Sequence, residues 1–252
     1  MFATLIVVAA LWGAATGSLV PRAAYRLSVT PGESRRDGCP AGHTVAGPAG
    51  GRLGAPGCRT CATEGHPAAP RVPAGAAPAL LTALVCAGLA TATGPRPELG
   101  VWLLYAPLGV LLAGVDVRVH RLPDSLTLPL AVGTPLLLGG AALLPYDAGS
   151  WPHALLGSLA LGGGYLVLFL INPKGMGFGD VKLALSLGAV LGWYGWGVLF
   201  AGAFAGFLLG ALYGFGLILR RRGGRGTAIP FGPFMLGGAL LGLLLGALSA
   251  TP

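Results

Sequence analysis

Two aspartates carry the chemistry this sequence could do. Asp180 lies in the run Asn172–Leu183, NPKGMGFGDVKL, where Gly177-Phe178-Gly179-Asp180 separates two apolar stretches, and Asp116 ends an earlier one. A carboxylate at membrane depth costs about 2.5–3.5 kcal/mol even on lenient insertion scales, so acidic residues there mark functional positions. Two carboxylates within hydrogen-bond reach cannot both ionise freely and share one proton. One then takes a proton from water while the other donates to a carbonyl, which hydrolyses a peptide bond without a metal or a covalent intermediate. Gly175, Gly177 and Gly179 are the candidate substrate-binding positions, since glycine allows positive φ and the close approach of an extended peptide that a side chain would block.

Each of these residues also has a plainer reading. Asp180 sits where a helix N-cap would fall, and the helix dipole there favours its ionised form, the form a general base needs. Asp116 could pair with Arg118 or Arg121 at a helix end. Asp124 follows Pro123 and directly precedes an apolar run, which reads as a helix cap rather than catalysis. Lys174 and Lys182 read as interfacial anchors. A rival use of the same two aspartates is a transporter that binds a proton or cation, although that function calls for acidic groups near mid-bilayer on discontinuous helices.

A second constellation is Cys39, His43, Cys58 and Cys61, spaced C-x3-H-x14-C-x2-C. The C-x2-C pair brings two thiolates to one ion, and the intervening segment is a closable loop, so the set resembles a tetrahedral zinc site. His66 is an alternative to His43, and free thiols in a loose loop are the plain alternative to zinc. Cys86, in the middle of an apolar run, reads as a small packing residue.

These residues need helices to hold them. Hydrophobic residues make up 54% of the chain and charged residues 10%, against about a quarter charged in a soluble domain. The mean hydropathy is +0.75. The absence of alternating ten-residue segments argues against a β-barrel, and 45 glycines suit close helix packing in lipid. The expected fold class is therefore all-α, a polytopic membrane bundle. Apolar stretches at about residues 2–20, 77–94, 100–115, 127–145, 153–171, 181–194, 196–219 and 233–250 give about eight transmembrane helices. The span at 181–194 is short and leans on Trp193 and Trp196 as interfacial markers.

With eight spans, fifteen of the sixteen basic residues fall in alternate loops and only Arg96 falls on the other side. The positive-inside rule makes the rich side cytoplasmic, which places both chain ends outside and both aspartates at cytoplasmic helix ends. The formal charge of +8 is thus an orientation signal and not a nucleic-acid surface. The expected organisation is a first transmembrane helix at 1–20, a cytoplasmic loop at 21–76 and a membrane domain at 77–252. The loop, rich in Gly, Pro and Ala, has too little apolar periodicity to bury a core by itself.

At these residues the sequence resembles the prepilin leader peptidases, membrane aspartic proteases of type IV pilus and type II secretion systems. The likeness lies in Asp116–Leu130 (DVRVHRLPDSLTLPL), in Gly175–Leu183 with its G-x-G-D motif, and in the opening segment with Gly17-Ser18 and Tyr25-Arg26-Leu27. It implies an inner-membrane enzyme that cuts the short basic leader from pilin-like precursors at the cytoplasmic face, with Asp116 and Asp180 as the catalytic pair. It also implies N-methylation of the new terminus from S-adenosylmethionine, an activity tied to a loop that often carries two C-x2-C pairs. This chain departs there: Cys58 and Cys61 keep one pair, but Cys39 is followed by His43 instead of a second cysteine.

Overall fold

The structure is a computed structural model describing residues 2–30, 33–39, 41–44, 47–54, 58–64, 76–173, 175–220 and 229–250. His66, Arg71, Lys174, Arg221, Arg222 and Arg225 lie outside the described residues. Among the described residues eleven helical segments run in order: α1 (Phe2–Gly17), α2 (Val20–Leu27), α3 (Pro48–Gly51, a single turn with positive φ at Ala49, Gly50 and Gly51), α4 (Arg59–Thr63), α5 (Ala76–Thr93), α6 (Glu98–Val119), α7 (Asp124–Ala141), α8 (Trp151–Ile171), α9 (Phe178–Gly192), α10 (Trp196–Leu219) and α11 (Gly232–Ser249). Among the described residues no strand forms, only an isolated bridge between Gly38 and Thr44. The chain is a polytopic helical membrane protein.

Helices occupy all eight apolar stretches, and six are long and apolar enough to cross a bilayer by themselves, with α1 and α2 joined as one span over Phe2–Leu27. The first helical segment therefore runs beyond residue 20, with Pro21 in the first turn of α2. The two that fall short are α7, which carries Asp124 at its start and Pro129 and Pro135 inside, and α9, which has only 15 residues. Fifteen residues rise about 22 Å, less than a hydrocarbon core of about 30 Å.

The chain divides into two compact units, Met1–Thr91 with Trp102–Val119, and Ala92–Val101 with His120–Pro252. In the first, α1 meets α5 through glycines: a β-carbon on Gly13 would lie 2.5 Å from the Thr82 carbonyl oxygen, and one on Gly17 2.7 Å from that of Pro78. Trp12 Nε1 donates to the Leu103 carbonyl of α6 at 2.9 Å. Cys86 is fully buried on α5.

In the second unit α9 is the central element, packed by α7, α8, α10 and α11. Its sides are buried at Val181, Leu183, Ala184, Ser186 and the run Gly188–Gly192. A helix sheathed by others needs neither the length nor the uniform apolarity of one that faces lipid, which accounts for the weak sequence signal of α9. The packing depends on missing side chains. A β-carbon on Gly188 would sit 2.3 Å from the Gly157 carbonyl oxygen of α8, and one on Gly238 of α11 would sit 2.2 Å from the Gly206 nitrogen of α10. Gly188→Leu should therefore separate α8 from α9 and lower the melting temperature in detergent by several degrees, consistent with an overpacking cost of about 1–3 kcal/mol. An unchanged melting temperature would contradict this packing.

At the end of this unit formed by the starts of α6 and α10 and the end of α11, Glu98 is fully buried. Tyr194 donates its hydroxyl to Glu98 Oε1 at 3.3 Å, Arg96 Nη1 lies 3.8 Å from the same oxygen, and Arg96 Nη2 donates to the Ala247 carbonyl at 2.8 Å. Trp193, expected at the interface, is instead buried, and the turn into α10 is made at Gly195 with φ of +104°.

Candidate active site and metal centre

Asp180 is buried, with 7% of its surface exposed, in the first turn of α9. The helix begins at Phe178, earlier than residue 181, so Gly177 is the N-cap and Asp180 occupies the third helical position. This corrects the N-cap reading. The Gly177 amide donates to Asp180 Oδ2 at 3.1 Å, and the Asp180 amide donates to the Gly177 carbonyl at 3.0 Å. One carboxylate oxygen is thus fixed by a backbone donor near the positive end of a helix, where negative charge is favoured.

None of Gly175, Gly177 and Gly179 uses the positive φ open to glycine, and Gly177 is extended at φ −77°, ψ 144°. Gly179 is required for a different reason. A β-carbon there would lie 2.9 Å from Leu122 Cβ and 3.4 Å from the Leu122 carbonyl oxygen, so Leu122 lies directly against the first turn of α9. At Gly175 a β-carbon would meet only the movable Asn172 side chain.

Asp116 is also buried, with 4% exposed, one turn before the end of α6 and next to the fully buried Val115 and Leu112. It belongs to the first compact unit and Asp180 to the second. Between them the chain leaves α6, passes His120 at φ +48° and enters α7. Asp124 is not the cap expected of it: Pro123 holds the N-cap position and Asp124 is the first helical residue, 2.7 Å from Lys182 Nζ. Lys182, expected to anchor at an interface, is held by that ion pair and lies 4.9 Å from the Phe178 ring centroid. Opposite charges in two motif segments, each near a helix start, were the available sequence signal for this pair.

The metal-type constellation assembles as expected. The ligand atoms of Cys39, His43, Cys58 and Cys61 all lie within 4.8 Å of one another. Cys39 Sγ is 3.5 Å from Cys61 Sγ, and His43 Nδ1 is 3.4 Å from Cys61 Sγ and 3.9 Å from Cys58 Sγ. Ligands at about 2.0–2.3 Å from a tetrahedral ion lie about 3.3–3.8 Å apart, so three protein thiols and an imidazole fit a zinc ion. Two local structures make the set. Gly42, at φ +84°, closes the turn in which the Cys39 amide donates to the His43 carbonyl at 3.0 Å. Cys58 is the N-cap of α4 and Cys61 lies within that helix, which converges the C-x2-C thiols. His43 turns its other nitrogen, Nε2, to Glu64 Oε2 at 3.4 Å, the outer carboxylate that commonly orients a metal-binding imidazole.

The Cys58 thiol is brought down to about 6, chiefly by the backbone amide of Cys61. Cys61 is pushed up to about 12, chiefly by its hydrogen bond with Cys39. The loop is docked on α2 by Arg22, whose Nη1 donates to the Leu53 carbonyl at 3.2 Å and whose amide donates to that of Gly54 at 3.1 Å. Arg26 pairs with Asp37, and Arg36 lies 5.0 Å from the Tyr25 ring centroid.

A polytopic helical membrane fold with a carboxylate buried at a glycine-flanked helix start is the class of protein these features define. The chain belongs to the type IV leader peptidase family, whose profile matches residues 102–250 and so includes Asp116 and Asp180. It is 38% identical over 177 residues to the prepilin leader peptidase/N-methyltransferase of Aeromonas hydrophila, covering 66% of this chain and 57% of that protein. To the protein of the same name from Bacillus subtilis (strain 168) it is 31% identical, covering 75% of this chain and 71% of the relative. To leader peptidase HopD of Salmonella typhimurium it is 34% identical, covering 57% and 90%. The chain spans a little over half the length of the Aeromonas relative. No solved structure matches it.

Proposed function

We propose that this chain is a membrane aspartic endopeptidase that removes the leader peptide of type IV prepilin-like precursors at the cytoplasmic membrane face, with Asp116 and Asp180 as its catalytic carboxylates. The observation that carries the reading is the family match across 102–250, which spans both acidic segments. In support, Asp180 is buried and held by one backbone donor at the start of α9. Near the end of a helix dipole it is suited to be the ionised member of the pair. It accepts a proton from water, while protonated Asp116 donates to the carbonyl oxygen of the scissile bond. Water oxygen bonds to the carbonyl carbon, and in the second step the C–N bond breaks as Asp180 returns its proton to the leaving nitrogen. As that bond breaks, Asp116 takes a proton back from one of the two hydroxyls on the same carbon, leaving a carboxylic acid, so the pair ends in its starting protonation state and acts as one coupled unit.

The clustering of basic residues in alternate loops supports a cytoplasmic position for both aspartates. Gly175, Gly177 and Gly179 border the proposed site, and the extended backbone at Gly177 offers a place for a peptide strand. Cys39, His43, Cys58 and Cys61 would hold a zinc ion that cross-links the loop and takes no part in peptide hydrolysis. A second activity, N-methyl transfer, stands in the names of the Aeromonas and Bacillus relatives, and S-adenosylmethionine is the methyl donor we propose to test for it. The transporter reading finds no support in the family match.

The test is to incubate the purified chain in detergent with a leader-bearing precursor, with and without S-adenosylmethionine, and to weigh the products. Cleavage at a single bond after the leader is expected, and an added methyl group on the new terminus would report the second activity. A precursor left intact by well-folded protein would overturn the proposal.

A further inference from the structure

We propose that Lys182 and Asp124 are positioning residues for the Asp180 carboxylate, forming an ion-paired clamp that fixes the first turn of α9 against the start of α7. The inference rests on reading Asp180 as catalytic. The first turn of α9 is held at three successive points by three different parts of the second unit. Phe178 packs on Phe169 of α8, with ring centroids 5.3 Å apart and an interplanar angle of 58°. Gly179 receives Leu122, itself only 4% exposed, at a distance that leaves no room for a β-carbon. Lys182 reaches across to Asp124 at 2.7 Å, and its ammonium lies over the Phe178 ring at 4.9 Å.

Asp180 lies between these three points in sequence, and its carboxylate is oriented by the Gly177 amide immediately before the turn. Any tilt of the turn therefore moves the carboxylate. Lys182 is two residues from Asp180, a spacing at which helical side chains do not face each other, so it acts through the helix and not by touching the carboxylate. The side chain of Lys182 is 15% exposed and that of Asp124 is 58% exposed. A half-exposed pair of this kind contributes little to overall stability. It matters because proton transfer is sensitive to small displacements: a shift of about 1 Å costs up to about a hundredfold in rate. Leu122 and Asp124 belong to the segment that follows α6, so the clamp also fixes where that segment crosses α9.

The experiment uses the full chain purified in detergent, a leader-bearing precursor peptide, and four variants: Lys182→Met, Asp124→Asn, Lys182→Arg and Asp180→Asn. Lys182→Met and Asp124→Asn are each expected to lower kcat about tenfold or more while KM stays within about twofold. Their melting temperatures should stay near that of the parent. Lys182→Arg, which keeps the charge and reaches the same carboxylate, should retain most of kcat. Asp124→Asn changes a half-exposed side chain at a helix start, so it gives an answer even where Lys182→Met does not accumulate. A kcat within about twofold of the parent for Asp124→Asn overturns the clamp, as does a loss seen only in KM or only together with a matching fall in melting temperature. Asp180→Asn separates the two levels. If it is inactive while the clamp variants are normal, the clamp alone fails; if it cleaves normally, the reading of the site fails first.

Discussion

Asparagine in place of Asp180 is expected to slow leader-peptide cleavage by about a thousandfold or more, within the range lost when a general acid–base group is removed. The substitution separates chemistry from folding. Asparagine has the same shape and keeps an oxygen able to accept from the Gly177 amide, so the turn at the start of α9 persists. What disappears is the basicity proposed to activate water. Asp116→Asn should have a loss of the same order, because the isostere keeps the shape of this buried side chain of α6 without opening a cavity but lacks the acidic proton proposed to go to the carbonyl oxygen. The check is the rate of precursor disappearance by mass spectrometry, alongside melting in detergent. Normal melting with lost cleavage is the expected pattern.

Cys61→Ser is expected to reduce bound zinc from about one ion per chain to near none, since the apparent binding energy of a structural site depends on its full donor set. Cys61 is the hub of the cluster, within 3.5 Å of Cys39 Sγ and 3.4 Å of His43 Nδ1. The loop should then become accessible to added protease, because the ion is proposed to supply the cross-link that its composition cannot replace with a core. Peptide hydrolysis by the aspartates should continue, and a loss of cleavage equal to that of Asp180→Asn would mean that the metal belongs to the reaction.

The sign of the pH effect follows from the thiols. Cys61, near 12 without metal, must release a proton on binding throughout the neutral range, whereas Cys58, near 6, is already largely thiolate at pH 7. Affinity therefore falls as pH falls, and more steeply below about 6, where Cys58 must lose its proton as well. Metal content after dialysis across that range reads this directly.

Much of this arrangement was legible in the sequence because hydropathy and spacing are local signals. The eight apolar stretches all became helices, and C-x3-H-x14-C-x2-C became one cluster because a turn at Gly42 and a short helix at Cys58 are both written locally. Helix edges were harder. Reading α9 from Val181 placed Asp180 at a cap and left the glycines to a loop, whereas Phe178 and Gly179 already belong to the helix. Gly179 is fixed by Leu122, far away in sequence, and no pattern around Gly179 announces that neighbour. The same limit hid the pairing of Asp124 with Lys182 and the docking of the cysteine loop by Arg22, since long-range polar pairs have no period. Glu98 falls between the apolar stretches 77–94 and 100–115, yet it starts α6 and is fully buried, with Arg96 and Tyr194 beside its carboxylate.

Asp116 and Asp180 are proposed to act on a precursor as one catalytic unit. The most direct measurement is a mutant cycle on the purified chain: cleavage rates of the parent, Asp116→Asn, Asp180→Asn and the double variant, read by product mass under one set of conditions. Groups that act as a unit are strongly non-additive. Each single variant should therefore lose nearly as much as the double variant does, with little further loss when both are changed. A single variant that cleaves at close to the parent rate, or losses in the two single variants that simply multiply in the double, would contradict the account.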